Sequence, residues 1–165
     1  MLTGKQRHEL RRKLRRIDQT VPHVLRTVSD QASVAEATEV FFKLFRSNRR
    51  DKADFMQAPM IAYFRTLSQS LAEKDRLRLF FLELRGVPAA AALCFHHHGT
   101  MYLYNSAYDE QYQSLSAGIL CKALSIRESI GSGMKVYDLL RGAETYKRHL
   151  GGQPVTLYRC TIELR

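Results

Sequence analysis

Leu77-Arg-Leu-Phe-Phe-Leu-Glu-Leu84, Arg85-Gly86, Ala89-Ala-Ala-Ala-Leu-Cys-Phe-His-His97, His98-Gly99 and Thr100-Met-Tyr-Leu-Tyr-Asn-Ser-Ala107 follow one another in the middle of the chain. Here the hydrophobic period falls to two, the signature of strands. Each glycine can take the positive φ of a tight hairpin turn, so the stretch predicts a three-stranded antiparallel meander. Downstream, the pattern predicts a helix from near Ser116 to about Ser129, stopped by Gly131-Ser132-Gly133. A short strand at Lys135 to Leu139, a short helix at Glu144 to Leu150 and a last strand at Pro154 to Leu164 follow. Upstream, Thr3 caps a helix that ends before Val21-Pro22, and His23 to Val28 reads as a strand. Ser33 to Arg50 repeats Val34, Ala37, Phe41, Leu44 and Phe45 at helical spacing, with Arg46, Arg49 and Arg50 in its final turn. Pro59 opens another helix to about Lys74, with Met60, Phe64, Leu67 and Leu71 on one side. Helices around one early strand, then a meander, then strand-helix-strand alternation define an α+β fold with a mixed, mostly antiparallel sheet.

The 165 residues fit one domain, with 1–20 as a basic N-terminal helix and 21–165 as the sheet-and-helix body. A composition of 45% hydrophobic and 25% charged residues excludes disordered, collagenous and coiled-coil chains. No apolar run approaches the roughly 18 residues of a membrane helix, and the charged start lacks the apolar segment of a signal peptide. Cys94, Cys121 and Cys160 are few, odd in number and set in apolar stretches, which predicts buried free thiols and a cytoplasmic protein. The net charge is +10, and half of it comes from residues 1–20. There Leu10, Leu14, Ile17 and Val21 form an apolar stripe, with Arg11, Arg12, Arg15 and Arg16 beside and opposite it. Such a face is either a solvated helix surface or a contact for RNA or another polyanion.

Two places gather chemistry-bearing residues. The strand feeding Ser116-Ala117-Gly118 presents a helix start, either an ordinary N-cap or a site for a phosphate held by free backbone N–H groups. Tyr137-Asp138-Leu-Leu-Arg141-Gly142-Ala-Glu144-Thr-Tyr146-Lys147 crowds charged and aromatic groups at a strand end, where ligands of open sheets collect. A capped, salt-bridged loop with Asp138 paired to Arg141 is the structural alternative. His96-His97-His98 reads as a hairpin-end surface rather than a metal site, because only His96 and His98 share a strand face. Tyr102, Tyr104, Tyr108 and Tyr112 serve equally as strand formers or as stacking surfaces.

The phrase Asp138-Leu-Leu-Arg-Gly-Ala-Glu-Thr-Tyr-Lys-Arg-His-Leu-Gly151, with Tyr102-Leu-Tyr-Asn-Ser-Ala-Tyr108 and Leu115-Ser-Ala-Gly118, resembles acyltransferases of the GNAT superfamily related to FemAB and to the CelD-like cellulose-biosynthesis proteins. The Gln/Arg-x-x-Gly-x-Gly/Ala loop of ordinary acetyltransferases is missing, and Gln113 to Gly118 is a loose substitute for it. The resemblance implies a GNAT-like N-acyltransferase fold and transfer of an acyl group to a sugar-linked or peptide amine in envelope or exopolysaccharide synthesis. The donor would be acyl-CoA (acetyl-CoA) or aminoacyl-tRNA, with no metal. On that resemblance Tyr146, Glu144 and Asp138 are catalytic, Tyr104, Asn105, Ser116, Ala117 and Gly118 hold the donor, and Arg141, Lys147 and Tyr102 face the acceptor. The alternative is a degenerate module that binds RNA or another polyanion through its first helix. Relatives of this group carry two tandem domains and this chain resembles the second, which implies either a missing first domain or a homodimer. The first helix or 154–164 would then form the dimer contact.

Overall fold

The computed structural model describes residues 2–47 and 56–163. The first helix, α1, spans Gly4–Thr20 and opens with a reciprocal cap. The Thr3 hydroxyl accepts from the Gln6 N–H while the Gln6 amide oxygen accepts from the Thr3 N–H. Strand β1 (His23–Val28) follows Pro22, and α2 (Val34–Ser47) and α3 (Ala58–Glu73) come next, with Pro59 in the first turn of α3. Arg49 and Arg50, expected in the last turn of α2, lie outside the described residues. The meander is β2 (Leu77–Leu84), β3 (Val87–His97) and β4 (Thr100–Tyr108). Both hairpins turn on two consecutive residues of positive φ, Arg85-Gly86 and His98-Gly99, as the tight primed turns require. The strand β3 begins two residues earlier than its alternation suggests, because a bulge opposite Leu82 and Glu83 accommodates Pro88.

A 3₁₀ turn (Glu110–Leu115) leads into α4 (Ala117–Gly131), then come β5 (Val136–Asp138) and α5 (Thr145–His149). The sheet order is β1-β2-β3-β4-β5, antiparallel throughout except for the parallel pair β4–β5 that α4 connects. This is the mixed α/β architecture expected from the sequence.

Both faces of the sheet are covered. On one face Leu77, Leu79, Phe81, Ala91 and Leu93 pack against Phe41, Phe42 and Phe45 of α2 and Phe64 of α3. On the other, Phe80, Leu82, Cys94, Met101 and Leu103 pack against Ile17 of α1 and Leu120, Cys121 and Leu124 of α4. Double coverage explains why β2 is buried at almost every position.

Two expectations change. Residues 154–163 form no strand in the sheet: strand propensity is local, but a ladder needs a neighbouring edge, and this segment runs exposed without one. Cys160, carried on it, is therefore exposed, whereas Cys94 and Cys121 are buried free thiols that burial raises to about 12 and about 11. The basic first helix packs on the body along its apolar stripe: Ile17 has no exposed surface, and Gln6 donates to the Arg148 carbonyl at 2.6 Å. Replacing Ile17 with Ala should cost about 2–5 kcal/mol in urea denaturation, while Arg11→Ala on the exposed face should stay within about 0.5 kcal/mol of wild type.

Candidate active site

Strand β4 pairs with β5 over three residues only, Thr100 to Tyr102 against Val136 to Asp138. Just beyond, the register against β3 slips: Cys94 faces Leu103 and Leu93 faces Asn105, leaving Tyr104 as the extra, bulged residue. A bulge bends its strand and sharpens the twist, and β4 departs from β5 there. The β4 backbone that would have continued the ladder borders a cleft of about 320 Å³ instead, lined by Leu103 to Ser106 and by Leu139, Leu140, Arg141, Glu144, Tyr146 and Lys147. A larger, open groove between α2 and α3 holds Glu36, Glu39, Arg65 and Glu73 but none of these groups.

The far wall of the cleft is built on Lys147. Its ammonium, almost wholly buried, donates to the carbonyls of Leu140 (3.1 Å), Arg141 (2.7 Å) and Gly142 (3.4 Å) and pairs with the Glu144 carboxylate at 2.9 Å. These four partners wrap the 140–144 loop around one cation. That hydrogen bond from Lys147 is the main reason the Glu144 carboxyl lies below its ordinary value. Gly142 is required by the same geometry: its φ is +117°, and an added Cβ would lie 2.8 Å from the Glu144 carboxyl carbon. Leu140 on the same loop takes φ +56°, a conformation that costs a non-glycine side chain. Asp138 accepts from the Leu140 N–H at 2.7 Å, so its structural partner is this turn rather than Arg141.

Tyr146 is half-buried, and burial, with the nearby Glu144 charge, raises its phenol to about 12. The Lys122 ammonium lies 4.8 Å from the centre of the Tyr146 ring and donates to the Gly118 carbonyl at 3.2 Å. Among the lining residues of β4, Tyr104 shares a hydroxyl hydrogen bond of 2.8 Å with Tyr63 of α3, outside the lining, the main cause that lifts Tyr104 to about 12. Tyr102 stacks on Phe95 with ring centres 5.0 Å apart.

Of the residues singled out in the sequence, the fold gathers Tyr104, Asn105, Arg141, Glu144, Tyr146 and Lys147 on one cleft, with Tyr102 and Asp138 as the last paired residues at its root. Ser116, Ala117 and Gly118 are not in its lining. Ser116 stands at the N-cap position of α4 with φ +58°, but its side chain makes no capping hydrogen bond. Its hydroxyl instead accepts from Lys13 at 3.0 Å, and Arg16 donates to the Ser114 carbonyl. Gly118 lets the Tyr108 ring approach, since a Cβ there would lie 3.0 Å from it. Lys122 and Tyr63 escaped the sequence reading. Lys122 falls outside the Leu120-Cys121-Leu124 stripe, and Tyr63 meets Tyr104 only through tertiary packing. His98 and Gly99 form the β3–β4 turn, and His96 bonds to the Asp75 carbonyl.

The cleft thus opens where the one parallel pair of an otherwise antiparallel sheet parts, beside a bulge. A family model described as an acetyltransferase (GNAT) domain matches residues 4–148, and the chain belongs to that family. Among solved structures, it is similar to a GCN5-related N-acetyltransferase from Ralstonia eutropha JMP134, with TM-score 0.61 and 17% identity over 86% of this chain and 99% of that one. It is also similar to the aminoglycoside N-acetyltransferase AAC(6')-Iy in complex with CoA, with TM-score 0.56 and 12% identity over 84% and 95%. A third is the aminoglycoside acetyltransferase meta-AAC0020 from an uncultured soil metagenomic sample, in complex with sisomicin, with TM-score 0.57 and 12% identity over 89% and 99%. At these identities the likeness is one of fold. No curated protein matches the chain by sequence.

The Glu144–Lys147 pair gives a pH signature. Because the folded pKa of Glu144 lies below the ordinary 4.5, its contribution is complete above that value and is lost as pH falls through the folded one. Urea titrations should therefore show Glu144→Gln less stable than wild type at neutral pH, with the difference shrinking as pH drops below 4.5.

Proposed function

We propose that the chain is an N-acetyltransferase that moves an acetyl group from acyl-CoA to an amine held in the β4–β5 cleft. The observation that carries this reading is the splay itself: past Tyr102 and Asp138 the β4 backbone lacks a β5 ladder partner, and Tyr146 lines the same cleft. Backbone N–H groups at the Tyr104–Asn105 bulge are suited to the thioester carbonyl, whose oxygen gains charge as the amine attacks. The C–N bond forms and the C–S bond breaks. The Tyr146 phenol, raised to about 12, keeps its proton at neutral pH and gives it to the departing CoA thiolate. The amine proton leaves to Glu144 or Asp138, directly or through water, and the phenol regains its proton from solvent.

The donor phosphates would lie at Ser116 to Gly118, at the start of α4. What supports this is the charge of α1: Lys13 and Arg16 bond to that turn, bringing cations to the place where the glycine-rich loop is missing. Lys147 and Arg141, first read as facing an anionic acceptor, differ in the role that fits them. The Lys147 ammonium has four partners on its own loop and acts as the support of the cleft wall, while Arg141 is exposed on that wall and remains suited to an anionic or sugar-linked acceptor. The exposed ring of Tyr104 in the cleft lining, with Tyr63 bonded to it just outside, suits the apolar face of a sugar. Kinship with the FemAB- and CelD-like enzymes, and an acceptor in envelope or exopolysaccharide synthesis, belong to the same proposal through the motif at 138–151.

Release of free CoA thiol from acetyl-CoA, measured with a panel of amino sugars and peptide amines, tests the reading. Tyr146→Phe should lower kcat by about 10²–10⁴-fold with KM for acetyl-CoA little changed. In the wild type, the alkaline fall in kcat belonging to this phenol should lie near its raised value of about 12 rather than near 10. Wild-type turnover in Tyr146→Phe would remove Tyr146 from the chemistry.

A further inference from the structure

Helix α4 carries a cation on its buried side. Lys122 is buried along with Ala117, Leu120, Cys121, Leu124 and Ser125, and only 6% of it is exposed. An ammonium withdrawn from water is costly unless nearby groups compensate it. One such group is the Gly118 carbonyl, a turn back on the same helix, to which Lys122 donates at 3.2 Å. Another is the ring of Tyr146, whose centre lies 4.8 Å from Nζ, within cation–π range. Lys122 is not in the lining of the cleft. It meets the site through that ring.

Two buried lysines thus flank the same few residues and do different things. The Lys147 ammonium bonds to the Leu140, Arg141 and Gly142 carbonyls and to Glu144, so its charge sets the loop. Lys122 comes from α4 and lies over the aromatic face. The other ionisable groups on the cleft are Glu144, whose charge opposes ionisation of the phenol, with Arg141, Lys147 and Tyr104, and Asp138 stands at its root. Burial and Glu144 together hold the proton on Tyr146, raising the phenol to about 12. That keeps the acid charged with its proton at neutral pH, but makes the proton hard to release. When the phenol protonates the departing thiolate, its O–H bond breaks, an S–H bond forms, and the electron pair left on oxygen spreads into the ring. A cation against the ring attracts this phenolate more strongly than the neutral phenol, and only an interaction that strengthens along the reaction speeds it.

Resting on the acyl-transfer reading above, we propose that Lys122 is a positioning residue for the acid: its ammonium, seated on the Tyr146 ring, stabilises the phenolate that forms as CoA takes the proton. Glu144 and Lys122 then act in opposite directions on one phenol, the first retaining its proton and the second easing its departure.

The coupling is measurable without any acceptor. A ring-difluorinated tyrosine incorporated in place of Tyr146 is a stronger acid than tyrosine, so it titrates while Lys122 is still charged, and its fluorine resonance reports this phenol alone. Lys122→Met keeps the length of the side chain without its charge, and should make the phenol about tenfold weaker as an acid. Lys122→Gln, whose amide can still donate to the Gly118 carbonyl, should do the same, which a purely structural hydrogen bond would not. In acetyl-CoA turnover, either variant should lower kcat about tenfold with KM for acetyl-CoA unchanged, and should cost nothing further in Tyr146→Phe. A fluorine titration that stays in place in variants with wild-type circular dichroism overturns the proposal. An equal loss of kcat with and without the Tyr146 hydroxyl overturns it as well. A moved titration together with wild-type turnover in Tyr146→Phe supports the coupling of ammonium and ring while overturning the reading of Tyr146 as the acid.

Discussion

The parting of β4 from β5 governs the shape of this molecule. A parallel ladder that continued past Tyr102 and Asp138 would satisfy every backbone group and leave no cleft. The extra residue at Tyr104 prevents this by bending β4 two residues beyond the last pair. The cost in lost ladder bonds falls at the sheet's end, where α4 and the 140–144 loop flank the gap, and the antiparallel pairing of β4 with β3 slips at the bulge and resumes from Asn105 to Tyr108. The opening is therefore a local irregularity on a doubly covered scaffold.

A cleft wall made of loop must be held, and Lys147 holds it. Burying an ammonium is unfavourable unless it is fully engaged, and here three carbonyls and one carboxylate engage it. The arrangement holds Gly142 at φ +117°, where a side chain is strained, and Leu140 at positive φ, so the backbone strain sits where the site is. Charge at residues 138–147 thus serves first to set loop conformation. Arg141 is the cation of that phrase whose side chain is left on the surface.

The first helix ties the two ends of the site together. Its apolar stripe buries Ile17 against the sheet, Gln6 reaches the end of α5, and Lys13 and Arg16 bond to the turn before α4. Basic residues that look in the sequence like one surface for a polyanion divide in the fold into Lys13 and Arg16, bonded to the turn before α4, Arg12, paired with Glu9, and Arg11 and Arg15, which face solvent.

Period and turn chemistry alone determined most of the architecture. The alternation of 77–107, the paired turn residues at 85–86 and 98–99 and the stripes of α1 and α2 act within a few residues, so the elements, their order and the sheet class were legible without coordinates. The phrase 138–147 was legible as a cluster for the same reason, as its members are neighbours in the chain. Whether β4 bulges, where its ladder to β5 stops, that Lys122 sits over Tyr146 and that Tyr63 meets Tyr104 were settled by contacts between distant segments, which leave no local period. The segment 154–163 marks the boundary most plainly. Its residues carry the propensity of a strand, but a strand exists only with an edge beside it, and which edge is available is a property of the folded sheet.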